Sequence, residues 1–206
     1  MRTDIHNWKP VNVGEIQHIF SNLPVMWWVG GGWALDLHIG RQTRAHHDTD
    51  VVVKRSDLYK TLSVLNKNWT IYIAEHGVLK RWEGGADIAS VNNIWVAKTE
   101  NSAWAFQVMV IDHEEKEWFY RREPSIRRPI AEISECTNEG PPYLKPEIQL
   151  LYKGGSSNLR AKDHGDFHTI LPYLKTEEKT WLGLALSRQF PEGHRWIHNL
   201  LGIFPV

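Results

Sequence analysis

The sequence predicts an α/β protein, with a mixed β-sheet flanked by helices followed by a smaller helical part. Three observations carry this. Short runs rich in β-branched and aromatic residues recur up to about Val110. From Pro146 onward the apolar spacing is helical instead. Between Val25 and Ile39 an apolar run, a glycine triplet (Gly30 to Gly32) and a helical stretch form a strand–turn–helix unit.

A chain of 206 residues suits one medium domain or two small ones. Lys and Arg total 24 and Asp and Glu total 24, so no global field favours a polyanionic partner. The single cysteine, Cys136, excludes an internal disulfide and leaves a thiolate metal cluster without partners. No apolar run reaches bilayer length and the N-terminus MRTDIHNWKP has no apolar signal core, so the expected location is the cytoplasm. The 11 tryptophans are scattered, which suits core and cleft walls better than a repeat.

In chain order, Val13, Ile16, Ile19 and Phe20 fall at helical spacing in 11–20, with Pro10 placed for a first turn. Val25 to Val29 reads as a strand, and WALDLHI as a brief helix stopped by Gly40. Val51 to Val53 read as a strand buried on both faces, and Ser56 as the N-cap of a helix ending at Leu65. Four strand candidates follow, at 69–74, 77–82, 93–98 and 103–111. The prolines and glycine of 121–142 suggest a linker, dividing the chain into 1–140 and 141–206. Pro146 then opens one helix, 162–174 forms a second, and Thr176 caps a third ending near Pro191.

The chemistry concentrates in VGGGWALDLHIGRQTRAHHDTDVVV. On a strand, residues i and i+2 share a face with Cα atoms about 6.6 Å apart, so Asp48 and Asp50 project together. Two adjacent carboxylates resist ionising together unless a cation neutralises them. Oxygen ligands of this kind suit Mg²⁺ held jointly by carboxylates and substrate phosphates, which implies a bound nucleotide. The glycine turn agrees, because glycines admit a phosphate to the backbone and a helix starting near Trp33 offers N–H groups to it.

These residues resemble the DNA-polymerase-beta-like nucleotidyltransferase superfamily, and within it the small aminoglycoside and lincosamide nucleotidyltransferases. GGGWALD (Gly30 to Asp36), the series Arg44, His46, Asp48 and Asp50, PEIQLLYK (Pro146 to Lys153) and KDHGDF (Lys162 to Phe167) carry the resemblance. It implies the nucleotidyltransferase fold with a helical C-terminal half closing the cleft. It also implies that Gly31 and Gly32 contact the nucleotide phosphates, that Asp48 and Asp50 bind Mg²⁺, and that a third carboxylate on a neighbouring strand completes the site. Alternation in AFQVMVID sets Asp112 at the end of an apolar strand and makes it the choice for that acid, as metal ligand or general base, with Asp87 in reserve. The implied reaction is in-line transfer of a nucleoside monophosphate, AMP by preference, from NTP to a hydroxyl, with two Mg²⁺ ions held by Asp48, Asp50 and Asp112. Arg44 offers a planar fork to the β- and γ-phosphates, and Lys153 a point charge from the other side. His46 is read as orienting Asp48 or touching a phosphate, and Asp36 as holding the glycine loop.

The resemblance favours a small hydroxylated acceptor such as an aminoglycoside or lincosamide. Three alternatives stand beside it: the same chemistry on tRNA or protein, a non-catalytic nucleotide-binding protein of the same fold, and a metal-dependent hydrolase using His164 and His168 at i, i+4 with Asp163 and Asp166 nearby. The acidic run 113–117 suits a solvated turn or a polycationic acceptor, whereas Arg121, Arg122, Arg127 and Arg128 suit an RNA or nucleotide.

Overall fold

The computed structural model describes residues 1–75, 78–85, 87–137, 140–156 and 158–202. In order, the elements are α1 (Val13–Ser21), β1 (Trp27–Val29), α2 (Gly31–Ile39), β2 (Asp50–Lys54), α3 (Leu58–Leu65), β3 (Thr70–Glu75), β4 (Val78–Arg81), β5 (Asn93–Ala97), β6 (Trp104–Glu114), β7 (Glu117–Phe119), β8 (Arg127–Pro129), β9 (Ser134–Cys136), β10 (Pro142–Leu144), α4 (Pro146–Gly154), α5 (Ala161–Ile170), α6 (Thr176–Gln189) and α7 (Ile197–Leu201). The first residue of the 77–82 strand candidate lies outside the described residues.

Local chemistry sets these boundaries. The side chain of Asn12 accepts from the Glu15 N–H, and Glu15 accepts from the Asn12 N–H, a reciprocal cap that starts α1 two residues after Pro10. Helix α2 begins at Gly31, earlier than WALDLHI suggests, and stops as expected at Gly40, which takes φ +73°. Ser56 caps nothing: it sits inside a short 3₁₀ turn (Arg55–Asp57) that precedes α3.

The strands join in the order β4-β3-β5-β6-β2-β1-β10-β9, with β7 and β8 extending from the end of β6. Pairs β2–β6 and β1–β10 are parallel and the remaining neighbours antiparallel, which makes the sheet mixed. Val51 and Val53 pack into one core with Ile16 and Phe20 of α1 and Leu58 and Leu62 of α3. Val52 enters a second core on the opposite face, with Ile148 and Leu151 of α4 and Phe167 of α5. The valine run is therefore buried on both faces, because helices cover both sides of its strand.

The segment 121–142 is not a linker. Within its described residues it forms β8, β9 and the start of β10, and β10 lies parallel to β1, with Tyr143 opposite Val29. The sheet thus continues to Leu144, and the helical part starts at Pro146 rather than at 141. The acidic run 113–117 closes a β6–β7 hairpin, with Glu115 at φ +47° in its turn. Among the described residues no helix is long and apolar enough to cross a membrane.

Candidate active site

Backbone hydrogen bonds fix the aspartate pair at the head of β2. The Thr49 carbonyl accepts from the Gln107 N–H at 2.8 Å, and the Asp50 carbonyl accepts from the Gly30 N–H at 2.9 Å. Thr49 is buried and its hydroxyl donates to the Val11 carbonyl at 2.7 Å, which leaves Asp48 and Asp50 to the other side of the chain. Asp50 opens into a cavity of about 480 Å³, with Gly31 beside it, Gln149 and Lys153 from α4, and Arg160 at the entry to α5. Asp48 lines a separate hollow of about 420 Å³, with His6, Trp8 and His47.

The glycine turn is tied to the same wall. Gly31 takes φ +65° and its N–H donates to Gln149 Oε1 at 2.8 Å. A Cβ at Gly31 would collide with the Asp50 carboxylate, so Gly31→Ala is expected to strain the backbone and displace Asp50 together. Nucleotide affinity should then fall at least tenfold, measured by calorimetry, and unchanged affinity would show that this close approach is dispensable.

Burial, joined by repulsion from Asp48, pushes the Asp50 carboxyl up to about 7, although Lys153, Lys162 and Arg160 pull against this. Two of those cations are engaged elsewhere: Lys153 Nζ lies 2.9 Å from Asp166 and 3.3 Å from Asp163, and Arg160 grips Asp163 with two nitrogens. A desolvated carboxylate on the cavity, Asp50, with a second, Asp48, close enough to repel it, forms a donor set that fits a hard divalent ion. The raised value also sets a stability trend. Between about pH 4, where the unfolded carboxyl ionises, and about pH 7, the folded state keeps a proton that the unfolded chain has lost. Stability therefore falls as pH rises through that window and levels off above it. In chelator-treated protein the thermal midpoint should drop across the window relative to Asp50→Asn, and parallel curves for the two proteins would contradict this.

Helix α5 organises the cations. Burial pushes Asp163 and Asp166 up, but Arg160 and Lys153 on the first, and Arg44 and Lys153 on the second, outweigh it and hold both carboxylates below the usual range. Arg44 meets Asp166 with Nε at 2.7 Å and Nη2 at 3.0 Å. One helix face thus gathers positive charge from the loop before β2, from α4 and from its own start.

Of the residues singled out by sequence, Asp50, Gly31 and Lys153 share this cavity, whereas Asp48, two residues before Asp50, lines the separate hollow with His46 and His47. His46 is engaged by Asp36. Its side chain is 2% exposed and its Nε2 lies 2.5 Å from Asp36, whose other oxygen accepts from the Thr43 N–H and hydroxyl. The imidazole fills the space where a Cβ of Gly32 would be, so Asp36 does hold the glycine loop, through His46, and Gly32 is a packing position. Asp112 is not brought to the pair. Asp50 faces Gln107 across β2–β6, and Asp112 lies five residues further along the strand, about 16 Å away. There burial raises the Asp112 carboxyl, but hydrogen bonds from Arg121 and Arg55 more than offset it. Asp87, the reserve choice, accepts from the Ala89 N–H in the loop before β5.

Gln149, Arg160 and Gln107 escaped the sequence reading. The i, i+4 histidines do meet, at 3.2 Å between their Nε2 atoms, but His164 Nδ1 already accepts from the Trp196 indole, and Asp163 and Asp166 are buried against Lys153. Among the described residues no cluster of three or more metal-ligating side chains forms. The four arginines of 121–128 disperse to Asp112, to the Tyr152 carbonyl, to Glu114 and to Glu147, and so form no shared basic patch.

A mixed sheet with a D-x-D pair before a central strand, a glycine turn beside it and a cation-lined cavity is an arrangement found in the nucleotidyltransferase fold. Residues 12–76 match the family described as aminoglycoside-2''-adenylyltransferase. A lincosamide resistance protein of Staphylococcus haemolyticus is 25% identical over 166 residues, spanning 75% of this chain and 89% of that protein. A 2''-aminoglycoside nucleotidyltransferase of Escherichia coli is 57% identical over 30 residues, 15% of this chain and 16% of that protein. Among solved structures, the lincomycin-bound lincosamide antibiotic adenylyltransferase LnuA superposes with a TM-score of 0.54 at 21% identity, covering 79% of this chain and 98% of the other. The solution structure of the antibiotic-resistance factor ANT(2'')-Ia gives 0.53 at 15% identity over 87% and 91%. The chain is thus similar in sequence to the small aminoglycoside and lincosamide nucleotidyltransferases, over 12–76 with the family and over 166 residues with the lincosamide resistance protein, and shares the fold of the solved ones.

Proposed function

We propose that the protein transfers AMP from ATP to a hydroxyl of a small antibiotic of the aminoglycoside or lincosamide kind, with Mg²⁺ held at Asp48 and Asp50. The observation that carries this reading is the single cavity in which Asp50 faces Lys153 and Arg160 across the glycine turn. A triphosphate would find fixed cations for its outer phosphates and a backbone turn close enough to touch, and Asp48 and Asp50 would hold a divalent cation whose charge offsets the phosphates. The lincosamide and aminoglycoside relatives support the acceptor class. The scattering of the arginines at 121–128 favours a small acceptor over tRNA.

When bound, the metal supplies charge neutralisation at the α-phosphate and acidifies the attacking hydroxyl. The chain's own part is arrangement. Lys153 and Arg160, held in place by Asp163, present charge to the β- and γ-phosphates, and Arg44 adds to it from the loop before β2. Gln149 fixes the Gly31 turn, and the Asp36–His46 pair supports that turn from below. Such fixed charge needs no rearrangement as the pentacoordinate phosphorus forms, which is where most of the rate acceleration arises.

The test is incubation with α-labelled ATP, Mg²⁺, and in parallel lincomycin, a panel of aminoglycosides and total tRNA. Label on an antibiotic, abolished by chelator, is the expected result. Label on tRNA alone, or transfer that persists without divalent metal, would overturn the reading.

A further inference from the structure

Beside Asp50, on the adjacent strand, stands a neutral side chain. The β2–β6 pair is parallel and sets Asp50 directly opposite Gln107, so the two side chains leave the sheet on the same face. In the amide orientation that satisfies both of its partners, Gln107 donates to Asp50 Oδ1 at 3.0 Å and accepts from Trp95 Nε1 at 2.9 Å. Trp95 is itself pinned, with its ring 4.9 Å from Trp8 and 5.1 Å from Trp104. The Gln107 oxygen is therefore turned to the indole, and its NH₂ occupies part of Asp50. Among the described residues lining the Asp50 cavity, the other carboxylate is Asp163, which Lys153 and Arg160 already share. The cavity thus offers, among these residues, one carboxylate without an ion-pair partner, Asp50, with Asp48 two residues before it, and three fixed side-chain cations, Lys153, Arg160 and Arg122.

Two divalent ions about 3.5–4 Å apart carry four positive charges and need more anionic ligands than Asp48 and Asp50 supply. We propose that the site takes one divalent cation per bound nucleotide, and that Lys153 and Arg160 stand where a second ion's charge would act on the phosphates. Gln107 sets the number: a carboxylate in its place would complete a second ion's ligand set. This rests on the nucleotide reading above and replaces its expected pair of ions with one.

The experiment counts Mn²⁺ by electron paramagnetic resonance in the presence of a non-hydrolysable α,β-methylene ATP analogue. The chain is kept in excess so that all nucleotide is bound. The wild type is expected to take up one Mn²⁺ per nucleotide, and Gln107→Glu two, the second visible as coupling between the two spins. Gln107→Ala should remain at one. Two ions in the wild type, or one in a folded Gln107→Glu, would overturn the proposal. Because the wild-type count alone can refute it, an unfolded variant does not shelter it. Absence of nucleotide binding altogether would instead overturn the underlying nucleotide reading and this proposal with it, a distinguishable failure.

Discussion

Replacing Asp50 by asparagine is expected to lower kcat about 10³-fold while making the metal-free protein more stable near neutral pH. The first effect follows from losing one of the two anionic ligands at the reacting phosphate, in a site where fixed charge supplies most of the rate. The second follows from the same desolvation that raises the Asp50 carboxyl to about 7: asparagine fills the position without the burial penalty of a charge and without repulsion from Asp48. Its side-chain oxygen can still accept from Gln107. Kinetics and thermal unfolding in chelator, measured on one preparation, check both. An enzyme that loses activity and stability together has merely misfolded, and one that keeps activity removes Asp50 from the chemistry.

Lys153→Met is the second large effect. The ammonium is buried between Asp163 and Asp166, and methionine retains its apolar stem while removing the charge both acids share. Breaking a buried pair from one side costs about 3–5 kcal/mol. Arg160 and Arg44 stay on the two acids, so about 3 kcal/mol is expected, read as a fall of about 10 °C in thermal midpoint for a chain of this size. Nucleotide affinity should drop at least tenfold as well. If Asp163→Asn in the Lys153→Met background recovers stability without recovering affinity, the lysine has separate structural and binding roles. A midpoint unchanged by Lys153→Met would mean that the acids do not depend on it.

Much of this was legible in the sequence because it depends on periodicity or on rare residue combinations. The valine run predicted a strand covered on both faces, and Pro146 the start of the helix that carries Lys153. The third-acid choice failed for a definable reason. Alternation along β6 tells which face a residue takes, but not which residue of the neighbouring strand it meets. That register depends on long-range pairing, and pairing put Gln107, not Asp112, opposite Asp50. Arg160 lies among other polar residues at the start of α5, and Gln149 is a polar residue between Ile148 and Leu150 of α4, so no local pattern marks either as facing the cavity. The bond of His46 to Asp36 was not legible, because Asp36 lies on the helix before it and only the packing of α2 against the loop reveals it. The proline-rich segment misled in the same way. Prolines can occupy the ends and edges of short strands, and Pro129 and Pro142 do so here.

Asp166 receives Arg44 from the sheet side of the molecule and Lys153 from the helical side on a single carboxylate. Pulling the helices away from the strands would strip that acid of both counterions at once and leave it buried and bare. The two walls of the cleft are accordingly latched at a fixed separation before any substrate arrives. One acid therefore couples the sheet wall of the cleft to its helical wall.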